Sequence, residues 1–130
     1  NSSNEAGDYL CANTEFLKFK LEEFNDLSHV FLFIHISQND WTKHGVSCGE
    51  VLEMIAAYPN VKAIFHGHDH DVDGIMINRK KPYLWSGHFG GNWGNPFPSY
   101  RVCEVAADGK TIVTCLRMVK DGTILNKHNL

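Results

Sequence analysis

The segment AIFHGHDHD, residues Ala63 to Asp71, contains three of the eight histidines in the chain. The residues just before the histidines, VKAIF from Val61 to Phe65, are short, apolar and rich in strand-forming side chains, as is typical of a buried β-strand. In open α/β sheets, ligands collect beyond the carboxyl ends of the strands. The sequence therefore predicts that His66, His68 and His70 lie at the rim of a sheet.

A second apolar run, HVFLFIH from His29 to His35, precedes this segment along the chain. Its β-branched and aromatic residues indicate a strand that is buried on both faces, as in α/β proteins. His35 stands where this run gives way to a polar loop. If the two strands are neighbours in one sheet, His35 shares the rim with His68 and His70.

Two helical patterns flank the first of these strands. Asn13 or Thr14 can cap a helix that hydrophobic periodicity predicts over about residues 14–25. Ser47 and Glu50 fit a capping box at the start of a second helix. The order helix, strand, helix, strand predicts an α/β fold with a parallel or mixed sheet and helical crossovers.

The second half of the chain has a different pattern, without a further helix. It predicts four strands and therefore a run of antiparallel β-structure, with Asp108-Gly109 as a hairpin signal. The predicted strands are Gly74–Asn78, Tyr83–Ser86, Tyr100–Val105 and Thr111–Met118. Between them lies a glycine-rich aromatic segment, GHFGGNWGNPFP, residues Gly87 to Pro98.

Length and composition predict one globular domain over residues 1–130. The chain is 43% hydrophobic and 21% charged, with a net charge of −3 and no block of lysines or arginines. This charge pattern argues against a nucleic-acid partner, whereas a phosphate-bearing substrate stays possible if metal ions supply positive charge. No apolar run approaches the roughly 18 residues of a membrane span. The cellular compartment is left open.

Four cysteines are scattered along the chain, at positions 11, 48, 103 and 115. They form no Cys-x-x-Cys pair, which argues against a zinc ribbon or a thioredoxin-type site. Two disulfides or four thiols are both compatible with the sequence. Scattered cysteines usually pack as small apolar groups, which favours the thiols.

The histidine cluster itself suggests metal binding. Gly67 lets the backbone turn sharply and approach a bound ion. In an extended segment, residues two apart point the same way, so His68 and His70 can face one metal site or two adjacent sites. Neutral imidazole is a ligand for Zn, Fe, Ni and Cu, and for Mn in the company of carboxylates.

These motifs together resemble the C-terminal half of the calcineurin-like metallophosphoesterases. FLFIH resembles the lone-histidine motif at a strand end in that family, and Gly67-His68-Asp69-His70 resembles its closing GHxH motif. YLWSGHFGGNWGNPFPSYRVCEVAADGKTIV resembles the strand, glycine loop and final hairpin, so that the likeness covers about residues 13–118. The resemblance implies half of an α/β sandwich, with phosphomonoesters or phosphodiesters as substrates. It also implies two divalent ions (Mn, Fe or Zn), with His35 and His68 on one and His70 on the other.

Other motifs of the family have no counterpart in the sequence. The Asp-x-His, Gly-Asp-x-x-Asp and Gly-Asn-His motifs, which supply the remaining ligands and the catalytic histidine, are missing, and three histidines cannot fill two metal sites. The chain is therefore expected to be the C-terminal part of a phosphoesterase domain, inactive alone and binding metal partially or not at all. Its exposed sheet is expected to be covered by the missing N-terminal half or by another copy of the chain.

Several further residues have two readings. His88, in the glycine loop, contacts substrate or is a surface residue, and His44 belongs to a substrate-gating loop or has no special role. His66 orients a ligand or makes a structural hydrogen bond, whereas Asp69 and Asp71 orient histidines or are merely solvated. A set of aromatic residues stacks on a nucleoside or sugar, or packs the core and loops: Trp85, Phe89, Trp93, Phe97 and Tyr100.

Two alternatives to an enzyme remain open. The first is a non-catalytic metal-binding or assembly module, because every N-terminal motif of the family is absent. The second is a small zinc or nickel transport protein that uses the histidine cluster, although the chain lacks the long histidine tract that such proteins often have.

Overall fold

The computed structural model describes residues 7–91 and 93–130, which form a mixed α/β structure with two helices and two sheets. The predicted α/β fold class is confirmed. None of the helices in these ranges is long and apolar enough to cross a membrane. The elements are α1 (Thr14–Glu23), β1 (Val30–Phe33), α2 (Gly49–Ala57), β2 (Val61–His66), β3 (Ile75–Asn78), β4 (Lys81–Trp85), β5 (Ser99–Val105), β6 (Ile112–Met118) and β7 (Ile124–Asn129).

The first sheet has the strand order β1-β2-β4-β3. β1, β2 and β4 are parallel, and β3 runs antiparallel to β4. The strands after the histidines were predicted to pair antiparallel, and β4 does so with β3, but it also pairs parallel with β2. Arg79 and Lys80 form a two-residue turn with positive φ at both positions, and this turn folds β4 back into the slot beside β2.

The second sheet is an antiparallel meander of β5, β6 and β7. The β5–β6 hairpin turns at Asp108-Gly109 as predicted, with Gly109 at a φ of 63°. The strand β7 was not predicted from the sequence, and its residues are mostly exposed. A strand without an alternating apolar face gives no periodic signal, and β7 is defined by its pairing with β6.

Both helices pack on one face of the first sheet. Leu17 and Leu21 of α1 and Ile55 of α2 join Tyr83 and Trp85 of the sheet in the main buried cluster. The Asn13 side chain caps α1 by accepting a hydrogen bond from the Phe16 amide at 2.8 Å, as predicted. The capping box predicted for α2 is wrong, because Cys48 is the N-cap residue and makes no side-chain capping bond.

Cys48 is instead joined to Cys11 in a disulfide, whereas Cys103 and Cys115 are free thiols. The expectation of four thiols is therefore wrong for one pair. The bond ties the segment before α1 to the N-cap residue of α2, across 37 positions of the chain. Sequence spacing alone does not identify such a pair, because only the packing of the two helices brings the two cysteines together.

β1 forms one edge of the first sheet, and this contradicts the prediction that it is buried on both faces. The side chain of Phe33 is 79% exposed, and the rest of the strand is only half-buried. Among the described residues β1 pairs with β2 alone, so that its other edge has no neighbouring strand. Unpaired apolar edges readily accept another strand.

The Tyr83 hydroxyl offers a test of how the core is packed. Tyr83 is fully buried, its hydroxyl has no hydrogen-bond partner among the described residues, and burial raises the pKa of Tyr83 to about 12. Replacing Tyr83 by Phe removes an unpaired buried polar group. We expect Tyr83→Phe to raise the free energy of unfolding at neutral pH by about 1 kcal/mol in urea denaturation followed by circular dichroism.

The raised pKa of Tyr83 also predicts how the folding stability of the protein changes with pH. The unfolded chain ionises its tyrosines near pH 10 while the folded chain keeps Tyr83 protonated, so wild-type stability is complete below pH 10 and falls between pH 10 and 12. The Tyr83→Phe variant lacks this contribution. Tyr100→Phe, at a side chain that is 42% exposed, serves as the control and should change neither property. A less stable Tyr83→Phe protein would contradict the assignment of an unpaired hydroxyl.

Candidate functional site

The parallel pairing of β1 with β2 places His35 beside the histidine segment. The Ile34 amide donates to the Phe65 carbonyl at 3.0 Å, and the Gly67 amide donates to the His35 carbonyl at 3.1 Å. A Cβ atom at position 67 would lie 2.9 Å from His35 Nδ1, so only glycine allows this approach. The two strands are therefore neighbours, which is the condition under which His35 was expected to share one rim with the histidine segment.

His68 projects toward two other histidines. The centroid of its ring lies 5.3 Å from that of His35 and 4.9 Å from that of His44, in edge-to-face contacts. His68 Nε2 forms a hydrogen bond with the Tyr9 hydroxyl at 2.8 Å. Burial, followed by the neighbouring His44 and His35, lowers the pKa of His68. The site therefore favours the neutral imidazole, which is the form that binds metal.

The backbone of His68 adopts a left-handed conformation, with a φ of 61°. Such a conformation costs a non-glycine residue roughly 1 kcal/mol or more and persists only where surrounding contacts hold it. The segment is therefore not extended, and the expectation that His68 and His70 point the same way is wrong. The two side chains instead lie among different neighbours.

Asp69 is a buried carboxylate at the centre of this rim, with a side chain that is 1% exposed. Its Oδ2 accepts a hydrogen bond from Thr42 Oγ1 at 2.6 Å, and its Oδ1 accepts one from His44 Nδ1 at 2.6 Å. Asp69 thus orients a histidine, as one of its two readings predicted, and Asp71 is exposed. Because a carboxylate only accepts, Nδ1 of His44 carries the hydrogen, and in the neutral ring Nε2 has a free lone pair.

His70 is enclosed by the glycine loop. Its ring stacks on Trp93 at a centroid distance of 4.3 Å and lies 5.3 Å from His88. His70 Nδ1 is buried without a hydrogen-bond partner among the described residues. A Cβ atom at Gly91 would lie 2.6 Å from that nitrogen, so a glycine is needed for the loop to pack so closely.

Both ring nitrogens of His88 are engaged within the same loop. The Gly91 amide donates to Nδ1 at 2.9 Å, and Nε2 forms a hydrogen bond with the Asn95 carbonyl at 2.7 Å. His88 is 8% exposed and is therefore not a surface residue. These bonds give it a structural role in shaping the loop around His70, whereas its contact with substrate stays a prediction.

His66 lies apart from the other histidines, on the helix side of the sheet. Its Nδ1 donates to the Ile34 carbonyl at 2.7 Å, and its ring stacks on Tyr83. Burial lowers the pKa of His66 to about 4, so the ring is neutral at pH 7. Of its two readings, the structural hydrogen bond is confirmed.

The aromatic residues predicted either to stack on a ligand or to pack the core lie in different environments. Trp85 is fully buried in the core, whereas Trp93 is 43% exposed and covers the rings of His70 and His44. The sequence did not predict that Tyr9 and Trp93 contact the histidines. Tyr9 forms an isolated β-bridge before α1, and Trp93 lies in the glycine loop, so neither belongs to a helix or strand long enough for periodicity to give a signal.

The described residues contain no group of three or more His, Cys, Asp or Glu side chains arranged to hold a metal ion. The local chemistry nevertheless suits part of such a site. Two imidazoles meet at His35 and His68, the latter favoured in its neutral form, and a buried nitrogen of His70 has no protein partner. These residues fit part of a metal-ligand shell, and further ligands would have to come from elsewhere.

Comparisons with known proteins identify no family. No protein-family model matches the sequence, and no curated protein matches it. Among solved structures, a single mutant of Vps29 from Entamoeba histolytica matches 72% of this chain and 52% of its own length, with 16% identity and a TM-score of 0.46. Wild-type Vps29 complexed with zinc, from the same organism, matches 99% of this chain and 94% of its own length, with 13% identity and a TM-score of 0.44. The chain thus spans about half the length of the first of these structures, and a likeness at this level transfers no activity, metal or partner to it.

The role of Asp69 can be tested by mutation. Asp69→Ala leaves the Thr42 hydroxyl and His44 Nδ1 without their acceptor, and we expect it to lower the free energy of unfolding by about 2 kcal/mol. Asp71→Ala, at an exposed aspartate two residues away, is the matched control and should change stability by less than about 0.5 kcal/mol. Urea denaturation measures both values. Equal effects of the two substitutions would show that Asp69 does not hold the loop.

Proposed function

We propose that this chain is the C-terminal part of a calcineurin-like phosphoesterase domain and contributes histidine ligands to a binuclear metal site that hydrolyses phosphomonoesters or phosphodiesters. Support comes from the resemblance carried by FLFIH and by the GHDH segment. The observation that carries the proposal is the meeting of His35 with His68, at 5.3 Å between ring centroids, at the carboxyl ends of two parallel strands.

In this proposal His35 and His68 hold one divalent ion, and His70 holds the other. The ions, Mn, Fe or Zn, supply Lewis acidity and a water-derived nucleophile when bound. The chain itself supplies imidazole nitrogens as donors, and the lowered pKa of His68 favours the neutral form of that ring. The carbonyl of His35 is fixed by the Gly67 amide, and the ring of His70 by its stacking on Trp93.

The Asp69–His44 pair has a positioning role in the same proposal. The carboxylate holds the His44 ring edge-on to His68, with Nε2 as the nitrogen that is free of the carboxylate. A histidine oriented in this way can hold or accept a proton from a ligand bound beside His68. Of the two readings of His44, the proposal therefore favours a role at the site.

The proposed site is incomplete within this chain, because three histidines cannot fill the ligand shells of two ions. The remaining ligands would come from polypeptide that covers the free edge of β1, either an N-terminal half or a second copy. Phe33 is exposed there, and a groove of about 240 Å³ lies between that edge and α1, with Phe16 and Leu17 in its wall. An added strand can pair with β1 and place apolar side chains in this groove.

Metal binding by the chain alone can be measured without any activity. In isothermal titration with Mn²⁺ or Zn²⁺, we expect at most one weakly bound ion, with affinity reduced about tenfold or more by His68→Ala. His128→Ala, on β7 and away from the histidine rim, is the matched control and should bind as the wild type does. An unchanged affinity of His68→Ala would contradict the proposed ligand role.

Catalysis is tested in a protein that includes the polypeptide encoded upstream of Asn1, with bis-p-nitrophenyl phosphate as substrate and Mn²⁺ as the added ion. Hydrolysis should be lost when His68 and His70 are both replaced by Ala. Hydrolysis that survives this double substitution would rule out the proposed site. If no upstream segment exists, or if it lacks the missing motifs, the enzyme proposal fails.

An alternative function is that of a non-catalytic metal-binding or assembly module. Two observations favour it: the absence of a complete metal-binding group among the described residues, and the exposed apolar edge at β1. Two ions bound at full occupancy by the isolated chain would contradict this alternative.

The free edge of β1 predicts association in either case. Phe33→Lys places a charge at this edge, and we expect it to weaken self-association, or binding of the N-terminal half, about tenfold or more in sedimentation experiments. Phe19→Lys, at a side chain on α1 that is 61% exposed, is the matched control. Equal association of both variants and the wild type would show that β1 is not the contact.

A further inference from the structure

A cleft of about 670 Å³ opens between the two sheets. One wall belongs to the first sheet and is formed by Phe31, Phe33 and Phe65. The other belongs to β5, where alternate residues point to the same side of the strand and Arg101, Cys103 and Val105 line the cleft. Of these residues, Phe33, Cys103 and Val105 are exposed, so that solvent reaches the cleft.

The first wall is aromatic and open to a flat ligand. The Phe33 and Phe65 rings stack at a centroid distance of 5.1 Å with an interplanar angle of 18°, and Phe31 lies 6.2 Å from Phe65. Aromatic rings favour offset stacking or edge contacts with other rings. This wall therefore suits an aromatic group better than a flexible polar one.

The opposite wall carries a cation that is not neutralised by an ion pair. Arg101 is half-buried, and its guanidinium donates to the Trp85 carbonyl at 2.8 Å and to Thr114 Oγ1 at 3.4 Å. Its Nε atom is buried without a partner, and Arg101 takes part in none of the ion pairs among the described residues. Asp73 acts on it only at longer range. A cation held in an apolar cleft favours an anionic ligand.

The polar and apolar ends of the cleft lie at opposite ends of the strands. Arg101 bonds to the carbonyl of Trp85, which pairs with His66 at the carboxyl end of β2, and His35 lies at the same end. Val105 is four residues farther along β5, about 13 Å at the usual strand rise. The cleft therefore suits a ligand with an anionic group at the histidine rim and an aromatic body of one or two rings.

We propose that this cleft binds an aryl phosphoester, with its aromatic body against Phe31, Phe33 and Phe65 and its anionic group on Arg101. That an aryl phosphoester is the substrate rests on the proposed function, because the phosphate end lies at the histidine rim. Binding of the aryl phosphoester in the cleft needs no metal. A strand from a second copy would bring apolar side chains without a charge for Arg101, so the unpaired cation favours the small anion.

Cys103 provides a reporter inside the cleft. It is the one exposed free thiol among the four cysteines, all of which lie in the described residues, because Cys115 is buried and the other two form the disulfide. Burial raises the pKa of Cys103, so its alkylation is best followed at mildly alkaline pH. The experiment measures the rate of reaction with monobromobimane, an uncharged reagent, in the presence of a chelator and increasing 1-naphthyl phosphate.

We expect saturating 1-naphthyl phosphate to slow the alkylation of Cys103 about tenfold or more, whereas inorganic phosphate or 1-naphthol alone has little effect. Arg101→Gln should weaken the protection about tenfold through loss of one charge-assisted contact. Arg79→Gln, which removes a cation on the β3–β4 turn, is the matched control and should leave protection unchanged. Since Arg101 also bonds to Trp85, a second pair avoids the question of folding: Phe33→Ser should weaken protection, and Phe19→Ser should not.

Several results would overturn the proposal. The first is an alkylation rate of Cys103 that 1-naphthyl phosphate does not change. The second is protection of Cys103 by 1-naphthol as strong as that by 1-naphthyl phosphate. The third is an equal loss of protection in Arg101→Gln and Arg79→Gln. A Cys103 that is unreactive without ligand in a chain that sediments as a dimer would show that a second copy fills the cleft. If 1-naphthyl phosphate protects Cys103 but His68 binds no metal, the cleft site is supported and the proposed metal function is ruled out. If His68 binds metal but 1-naphthyl phosphate gives no protection, the metal function is supported and the cleft site is ruled out.

Discussion

The parallel pairing of β1 with β2 is the constraint on which the histidine arrangement depends. It aligns Phe33 with Phe65, so both strands deliver their next residues to one rim, where the Gly67 amide bonds to the His35 carbonyl. A shift in this register by one residue would turn the histidines to the other face. The rings of His35 and His68 are in contact because the two backbone segments approach each other closely. Glycine at position 67 allows this close approach.

A buried carboxylate and a glycine loop then fix the side chains. Asp69 has no solvent to stabilise its charge, so its two short hydrogen bonds hold the Thr42–His44 loop against the rim. On the other side, the glycine loop closes over His70 with Trp93 on its ring. The two histidines of GHDH are thereby separated, one among imidazoles and the other beneath an indole.

The strand β1, which positions His35 at the rim, also has an edge and two adjoining surfaces that are exposed. β1 has one paired edge and one free edge, with a groove on its helix side and the inter-sheet cleft on the other. An aromatic wall and an uncompensated arginine remain in contact with solvent, a combination that folding alone does not favour. The proposed metal site, the proposed partner at the edge and the proposed ligand in the cleft therefore all adjoin β1.

The α/β class, both helices, six of the seven strands to within a few residues, and the cap at Asn13 could be predicted from the amino-acid sequence, as could a shared rim for His35 and His68 if their strands are neighbours. Periodicity, capping and strand ends are local signals. Four features could be established only from the folded chain: the parallel placement of β4, the exposure of β1, the pairing of Cys11 with Cys48 and the burial of Asp69 against His44. Each of these joins residues far apart in the chain: 37 positions separate the two cysteines and 25 separate Asp69 from His44. Such contacts follow from how whole elements pack, and no local pattern of residue types encodes them.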